Sequence, residues 1–192
     1  SLKLYFDFSG YCDMAYGMGY MLNIKLPVNF NSPYKAESFA DLWNRWHMTL
    51  TRFFIKYVYI PLGGSRRGKA RTYLNTLIVF IVSGLWHGAN WTFILWGTLN
   101  GIIIIIERFT KLASLKIPKM IKMIATYSLF TFTCSLFRSA SVKDAGILWT
   151  RLFHGGFGPV YQPLIDAFQD LTESKFLYRA GLGGIMTNYP WL

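Results

Sequence analysis

His87 stands in Leu85-Trp-His-Gly-Ala-Asn-Trp-Thr-Phe-Ile-Leu-Trp96, within a long stretch that is otherwise almost entirely apolar or aromatic. A titratable imidazole in hydrocarbon-like surroundings is costly to keep, so its presence asks for a job. His47 stands forty residues earlier, in Trp43-Asn-Arg-Trp-His-Met-Thr-Leu50, again wrapped in tryptophan. Imidazole takes and returns a proton near neutral pH. In a dry, aromatic-walled pocket such a base deprotonates a hydroxyl or thiol while water is kept from a hydrolysable donor. Acyl transfer from a thioester is a reaction of that kind. Trp86, Trp91 and Trp96 are expected to wall the pocket, Asn90 to hold a ring nitrogen or an oxyanion, and Gly88 to let backbone approach a substrate. Arg45, two residues before His47, is a further candidate for substrate contact. The plainer alternative for each histidine is a buried ring that hydrogen-bonds a carbonyl and packs. Beside Asn90 and the helix-breaking Gly88, chemistry is favoured for His87; His47, taken alone, is evenly balanced.

Other site chemistries find little support. Three histidines and two distant cysteines, Cys12 and Cys134, never approach ligand spacing, so no metal site is expected. The cysteines read as small buried hydrophobes. There is no Gly-x-Ser-x-Gly elbow of a serine hydrolase. Composition points to a bilayer: 53% of residues are hydrophobic, 18% aromatic and 15% charged, against about 25% charged in soluble domains. The basic excess is clustered, with Arg66, Arg67, Lys69 and Arg71 in one group and Arg108, Lys111, Lys116, Lys119 and Lys122 in another. Basic clusters abutting apolar runs follow the positive-inside pattern of a multi-pass membrane protein. The intervening runs are too apolar for a nucleic-acid groove, so membrane lipids rather than nucleic acid are the expected surroundings. The Arg66–Arg71 loop reads first as a topology determinant facing anionic headgroups. Its other reading is a phosphate site, with free amides at Gly63-Gly64 beside the cations.

The elements follow from the same pattern. Residues 1–24 form an apolar, Gly-containing element whose Asp7 and Asp13 are expected to face the bundle interior. Asn29-Phe-Asn-Ser-Pro-Tyr34 is a turn. Glu37 to Tyr59 reads as one interfacial or protein-buried helix, too polar to face lipid, with Ser38 or Asp41 capping its start. Pro61 and Gly63-Gly64 end it. Two apolar runs, about Tyr73–Trp86 and Trp91–Ile106, flank His87-Gly88-Ala89-Asn90. At 1.5 Å per residue each is roughly 22 Å long, short of a 30 Å hydrocarbon core. They form either a deep hairpin with His87 near its tip or two consecutive short spans. A basic collar interrupted by Pro118 leads to a further apolar run, Met123–Phe137, and Ala145–Phe153 is a short amphipathic helix. Gly155–Pro159 reads as loop, Asp166–Glu173 as solvent-facing, and Gly181–Gly184 as punctuation. The fold class is all-α, multi-pass transmembrane, with short or re-entrant and interfacial helices.

Several segments, in order, resemble one family. They are Tyr5-Phe-Asp-Phe-Ser-Gly-Tyr-Cys-Asp-Met-Ala15, Asn29–Tyr34, Leu42-Trp-Asn-Arg-Trp-His47, Tyr57-Val-Tyr-Ile-Pro-Leu-Gly-Gly64, Gly84-Leu-Trp-His-Gly-Ala-Asn-Trp91 and Leu136-Phe-Arg-Ser-Ala140. The chain resembles the membrane-bound O-acyltransferases, nearest the bacterial alginate O-acetyltransferase branch and more distantly the teichoic-acid D-alanylation protein. Residues 1–140 are similar to the carboxy-terminal part of that domain; 141–192 are less defined terminal helices and loops. The resemblance implies an enzyme of the bacterial inner membrane that passes an acyl group, here acetyl, from a cytoplasmic donor to an extracytoplasmic polysaccharide through a periplasmic partner protein. It implies acetyl-CoA or another acyl thioester as donor and no bound cofactor. His87 matches the family's essential histidine and His47 its second, while Asn44 and Thr51 depart from the more usual arginine and serine. Members carry several helices upstream of residue 1, so the chain is expected to be a piece of a longer protein. The competing reading is a proton-coupled transporter or channel using intramembrane histidines, and a third is a structural membrane subunit.

Overall fold

The computed structural model describes residues 1–154, all helix, turn and loop, with no strand among them. The order is α1 (Leu2–Met21), a 3₁₀ turn at Pro33–Lys35, α2 (Phe39–Arg45), α3 (Met48–Phe54) running into a π-helical turn at Ile55–Tyr59, α4 (Lys69–His87), α5 (Trp91–Thr110), α6 (Lys119–Arg138) and α7 (Val142–His154). One compact unit covers Ser1–Gly146 and a second begins at Ile147. The segments 155–159, 166–173 and 181–184 lie outside the described residues.

The α4–α5 hairpin is the frame. Its turn is Gly88-Ala89-Asn90, and the Asn90 side chain caps α5 by accepting from the Thr92 N–H at 3.2 Å. The helices have 19 and 20 residues, about 28 and 30 Å, so they are longer than the apolar runs alone predict. The extra turns come from Lys69–Thr72 and Glu107–Thr110, polar segments that continue the helices beyond the apolar stretch. The helices approach to backbone contact: a Cβ at Gly97 would strike the Phe80 carbonyl, and one at Gly84 the Phe93 carbonyl. The progression Gly84–Phe93, Phe80–Gly97, Leu77–Gly101 establishes the antiparallel register. Small residues that let helix backbones meet are the usual device where lipid removes any hydrophobic drive between helices.

Helices α5 and α6 are the two described helices long and apolar enough to cross a membrane, with mean hydropathy 1.4 and 1.3. A buried polar pair joins them. The Asn100 amide donates to the Trp96 carbonyl at 2.6 Å, and its oxygen lies 3.4 Å from the Thr133 hydroxyl, whose proton is shared with the nearer Phe130 carbonyl at 2.9 Å. Ile104 of α5 and Phe130 and Cys134 of α6 form a core with Phe39, Leu42 and Trp46. Cys12 and Cys134 are indeed buried free thiols.

The expected single helix over Glu37–Tyr59 is broken. Ser38 caps α2, accepting from the Asp41 N–H at 3.0 Å. Glu107 of α5 adds a second cap, its two carboxylate oxygens accepting from the Phe39 and Ala40 N–H groups at 2.6 and 3.3 Å. The chain then leaves the helix at Trp46, passes through a left-handed residue at His47 (φ +45°, ψ +53°) and starts α3. Asp7 and Asp13 do not face the described part of the bundle. Both lie on the exposed side of α1, because Tyr5, Phe8 and Cys12 occupy its inward face.

Replacing Gly97 by Ala forces α4 and α5 apart where carbonyl and Cα now meet. Overpacking of this kind costs about 1–3 kcal/mol, so thermal unfolding of the detergent-solubilised full-length variant begins at a lower temperature. An unchanged midpoint contradicts the backbone contact.

Candidate active site

His47 and His87 line one cavity of about 270 Å³. Each reaches it by a different route. His87 is the last residue of α4, and its ring is set edge-to-face against Trp86, Trp96 and Phe137, with centroids 4.9, 5.3 and 5.1 Å away. Helices α4, α5 and α6 therefore all fix one imidazole. His47 lies at the α2–α3 break and stands 4.7 Å from the Phe8 ring of α1. Trp86 lies between the histidines, 6.3 Å from His47. The rest of the wall is mainly aromatic, with Trp43, Trp46 and Phe130 prominent and Thr51, Thr76 and Ser83 as its hydroxyls.

One residue outside both helices holds the break in shape. The Asn29 carboxamide oxygen accepts from the Thr49 N–H at 3.2 Å, the Thr49 hydroxyl at 2.7 Å and the His47 Nδ1 at 3.2 Å. The Asn29 backbone carbonyl accepts from the Met48 N–H at 2.9 Å. Since an amide oxygen only accepts, Nδ1 of His47 carries the proton and Nε2 keeps its lone pair. Asn29 is itself fixed, its N–H donating to the Tyr16 hydroxyl at 2.6 Å and its side-chain amide to the Cys12 sulfur at 3.4 Å. Burial, and then the neighbouring His87, push the His47 pKa down to about 4, so its ring is neutral at physiological pH.

Residues 1–141 match the family described as MBOAT, membrane-bound O-acyltransferase. The chain belongs to this family. It is 48% identical to a peptidoglycan O-acetyltransferase of Helicobacter pylori over 149 residues, which is 76% of this chain and 28% of that protein. It is 39% identical to a probable alginate O-acetylase of Azotobacter vinelandii over 155 residues, 80% of this chain and 31% of that protein. A teichoic acid D-alanyltransferase of Bacillus subtilis is 32% identical over 116 residues, 57% of this chain and 29% of that protein. This MBOAT chain thus spans under a third of the length of these relatives.

The residues singled out with the histidines are distributed differently. Trp96 lines the cavity and is 4% exposed. Trp86 and Trp91 are 57% and 69% exposed and are not among the lining residues, although the Trp86 ring touches both histidines; Trp43 and Trp46 line the cavity beside Trp96. Asn90 is engaged as a helix cap and donates to the Ala140 carbonyl at 3.4 Å. Arg45 is paired with Asp41 at 2.8 Å, one helical turn back, and also stands outside the lining. The Gly63 and Gly64 amides are not free, because they close the turn onto the Ile60 and Tyr59 carbonyls at 2.9 Å. No cluster of metal-ligating side chains occurs among the described residues. Asn29, which holds His47, and Arg108, which also lines the cavity, went unnoticed as site residues in the sequence. Asn29 opens a segment whose Asn, Ser and Pro already explain it as a turn, and Arg108 looks like one more member of a basic cluster.

A histidine whose folded pKa is depressed stabilises the fold above its unfolded pKa of about 6.5 and loses that contribution as pH falls toward the folded value. The thermal midpoint of the full-length protein therefore drops between pH 6.5 and pH 4.5, and His47→Gln makes that drop shallower. Equal slopes in the two proteins contradict a neutral, buried His47.

Proposed function

We propose that this chain is the catalytic portion of a multi-pass inner-membrane O-acyltransferase that transfers acetyl from a cytoplasmic thioester, such as acetyl-CoA, toward an extracytoplasmic polysaccharide. The observation that carries the reading is that both motif histidines line one apolar, partly enclosed cavity. Names of the relatives support the acceptor class: peptidoglycan, alginate and teichoic acid are all cell-surface polymers. A periplasmic acyl-accepting partner protein would complete the relay to the polymer.

In this mechanism the acceptor hydroxyl gives its proton to a ring nitrogen of His87 as its oxygen attacks the thioester carbonyl. The tetrahedral intermediate collapses with cleavage of the C–S bond, and the imidazolium returns the proton to the departing sulfur. Positioned acid–base catalysis of this type contributes on the order of 10²–10⁴-fold. His47, neutral and locked with Nε2 unprotonated, serves as a hydrogen-bond acceptor that orients a substrate hydroxyl or thiol. The aromatic wall keeps water from the thioester. Trp86, Trp91, Asn90 and Arg45 act on substrate only if they move, or if further parts of the protein bring substrate to them. The transporter alternative has no feature in its favour.

His87→Ala in the full-length protein lowers acceptor acylation by about 100-fold or more with membrane abundance unchanged, and His47→Ala lowers it less. Mass spectrometry of the surface polymer reads both. Normal acetylation in the His87 variant removes that residue from the mechanism.

A further inference from the structure

The two histidines share a cavity but are held differently. His87 is packed by the rings of Trp86, Trp96 and Phe137, and no hydrogen bond ties its nitrogens among the described residues. His47 is tied at Nδ1 to the Asn29 side chain. The Asn29 atom that it meets also takes the Thr49 N–H, which can only donate, so that atom is the carboxamide oxygen and not the nitrogen. The proton on Nδ1 of His47 thus follows from a backbone amide. Asn29 is braced in turn by Tyr16, whose hydroxyl accepts its N–H at 2.6 Å and donates to the Pro27 carbonyl at 3.0 Å.

The charge of this partner matters as much as its shape. No Asp or Glu lines the cavity, so a proton released inside it has two imidazoles to choose between. A carboxylate behind a histidine stabilises the imidazolium, whereas a carboxamide of the same outline does not. The other titratable groups around His47 supply no unpaired negative charge either. His87 of α4, Tyr59 of the π-helical turn, Cys134 of α6 and Arg108 of α5 share its cavity. Cys12 and Tyr16 of α1 stand behind Asn29. Arg45 of α2 is paired with Asp41, and Arg52 of α3 donates to the Met48 carbonyl.

We infer that Asn29 is a positioning residue that allocates the proton of acyl transfer: a neutral partner keeps His47 a hydrogen-bond acceptor and leaves His87 as the ring that ionises. The inference rests on the acyl-transfer reading and adds the residue that makes the two histidines unequal. Two imidazolium rings in one apolar chamber repel, so a charge on His47 closes His87 to the acceptor's proton and removes the Nε2 lone pair.

Asn29→Asp places that charge there while keeping the outline of the side chain and its Thr49 contacts. The carboxylate raises the His47 pKa, so the ring is cationic below that value and neutral above it. Full-length protein in inverted membrane vesicles is assayed by thiol release from acetyl-CoA, above that of vesicles lacking the protein. Activity of Asn29→Asp relative to wild type stays near parity at pH 9 and falls about tenfold by pH 6. Asn29→Ala supplies no charge, and its kcat falls about tenfold at both pH values with membrane abundance unchanged. A drop of equal size at both pH values in Asn29→Asp marks a merely structural residue and overturns the proposal. Nitrogen NMR of histidine-labelled full-length protein in nanodiscs, with His47→Gln to locate the signal, reads the ring without turnover. Protonated Nδ1 in the wild type and a doubly protonated ring in Asn29→Asp at pH 6 support the inference. A wild-type ring protonated at Nε2 overturns it whatever the activity. The expected ring states combined with normal thiol release in His87→Ala defeat the acyl-transfer reading instead, and the allocation of its proton goes with it.

Discussion

A helix cut open in apolar surroundings exposes amides that water does not reach, and His47 sits at such a cut. The first N–H groups of α3 have no intrahelical partner, and none is supplied by the His47 side chain. Asn29 meets the need with both of its oxygens, taking the Met48 and Thr49 amides and the His47 ring nitrogen together. Left-handed backbone at a residue other than glycine costs about 1–3 kcal/mol unless its surroundings impose it. Here a segment from outside the helices imposes it and turns the imidazole toward the cavity. An unbroken helix over residues 37–59 would carry residue 47 elsewhere, and the paired histidines would not share a chamber.

The same economy of polar groups runs through the unit. Glu107 and Ser38 satisfy the start of α2, Asn100 and Thr133 join α5 to α6, and Asn75 donates to the Gly64 carbonyl at 2.9 Å to fasten the loop before α4. Each of these contacts ties a side chain to backbone or to one partner, as low-dielectric surroundings favour, although the Asn75 carboxamide oxygen is buried with no partner among the described residues. The apolar contacts supply adhesion, but the directional bonds decide where helices start and which way they lean. The cavity survives because its wall is aromatic and interlocked, with Trp43 5.6 Å from Trp96 and 6.0 Å from Phe130.

Apolar periodicity made α4, α5 and α6 legible, together with the break at Gly88–Asn90. Their ends ran further than expected because residues such as Lys69–Thr72 and Glu107–Thr110 continue a helix without being apolar. The two histidines were legible from type and setting, and family motifs gave them an order. The break at His47 was not, since nothing local between Glu37 and Tyr59 is a helix breaker; the force that bends it comes from Asn29, eighteen positions away. Trp86 and Trp91 show how far sequence neighbourhood differs from cavity lining. They flank His87 in the chain, but Trp86 packs on that ring while staying largely exposed, Trp91 opens the next helix beyond the turn, and the lining draws on Trp43 and Trp46, far off in sequence.

The glycine contact between α4 and α5 carries a mechanical corollary. Two helices touching backbone to backbone have almost no side-chain layer to compress, so the hairpin behaves as a stiff plank bearing His87 at one edge and Arg108 at the other. The opposing wall differs in kind, since α2 meets the hairpin through aromatic side chains, Trp43 against Phe80 and Trp96, rather than through backbone.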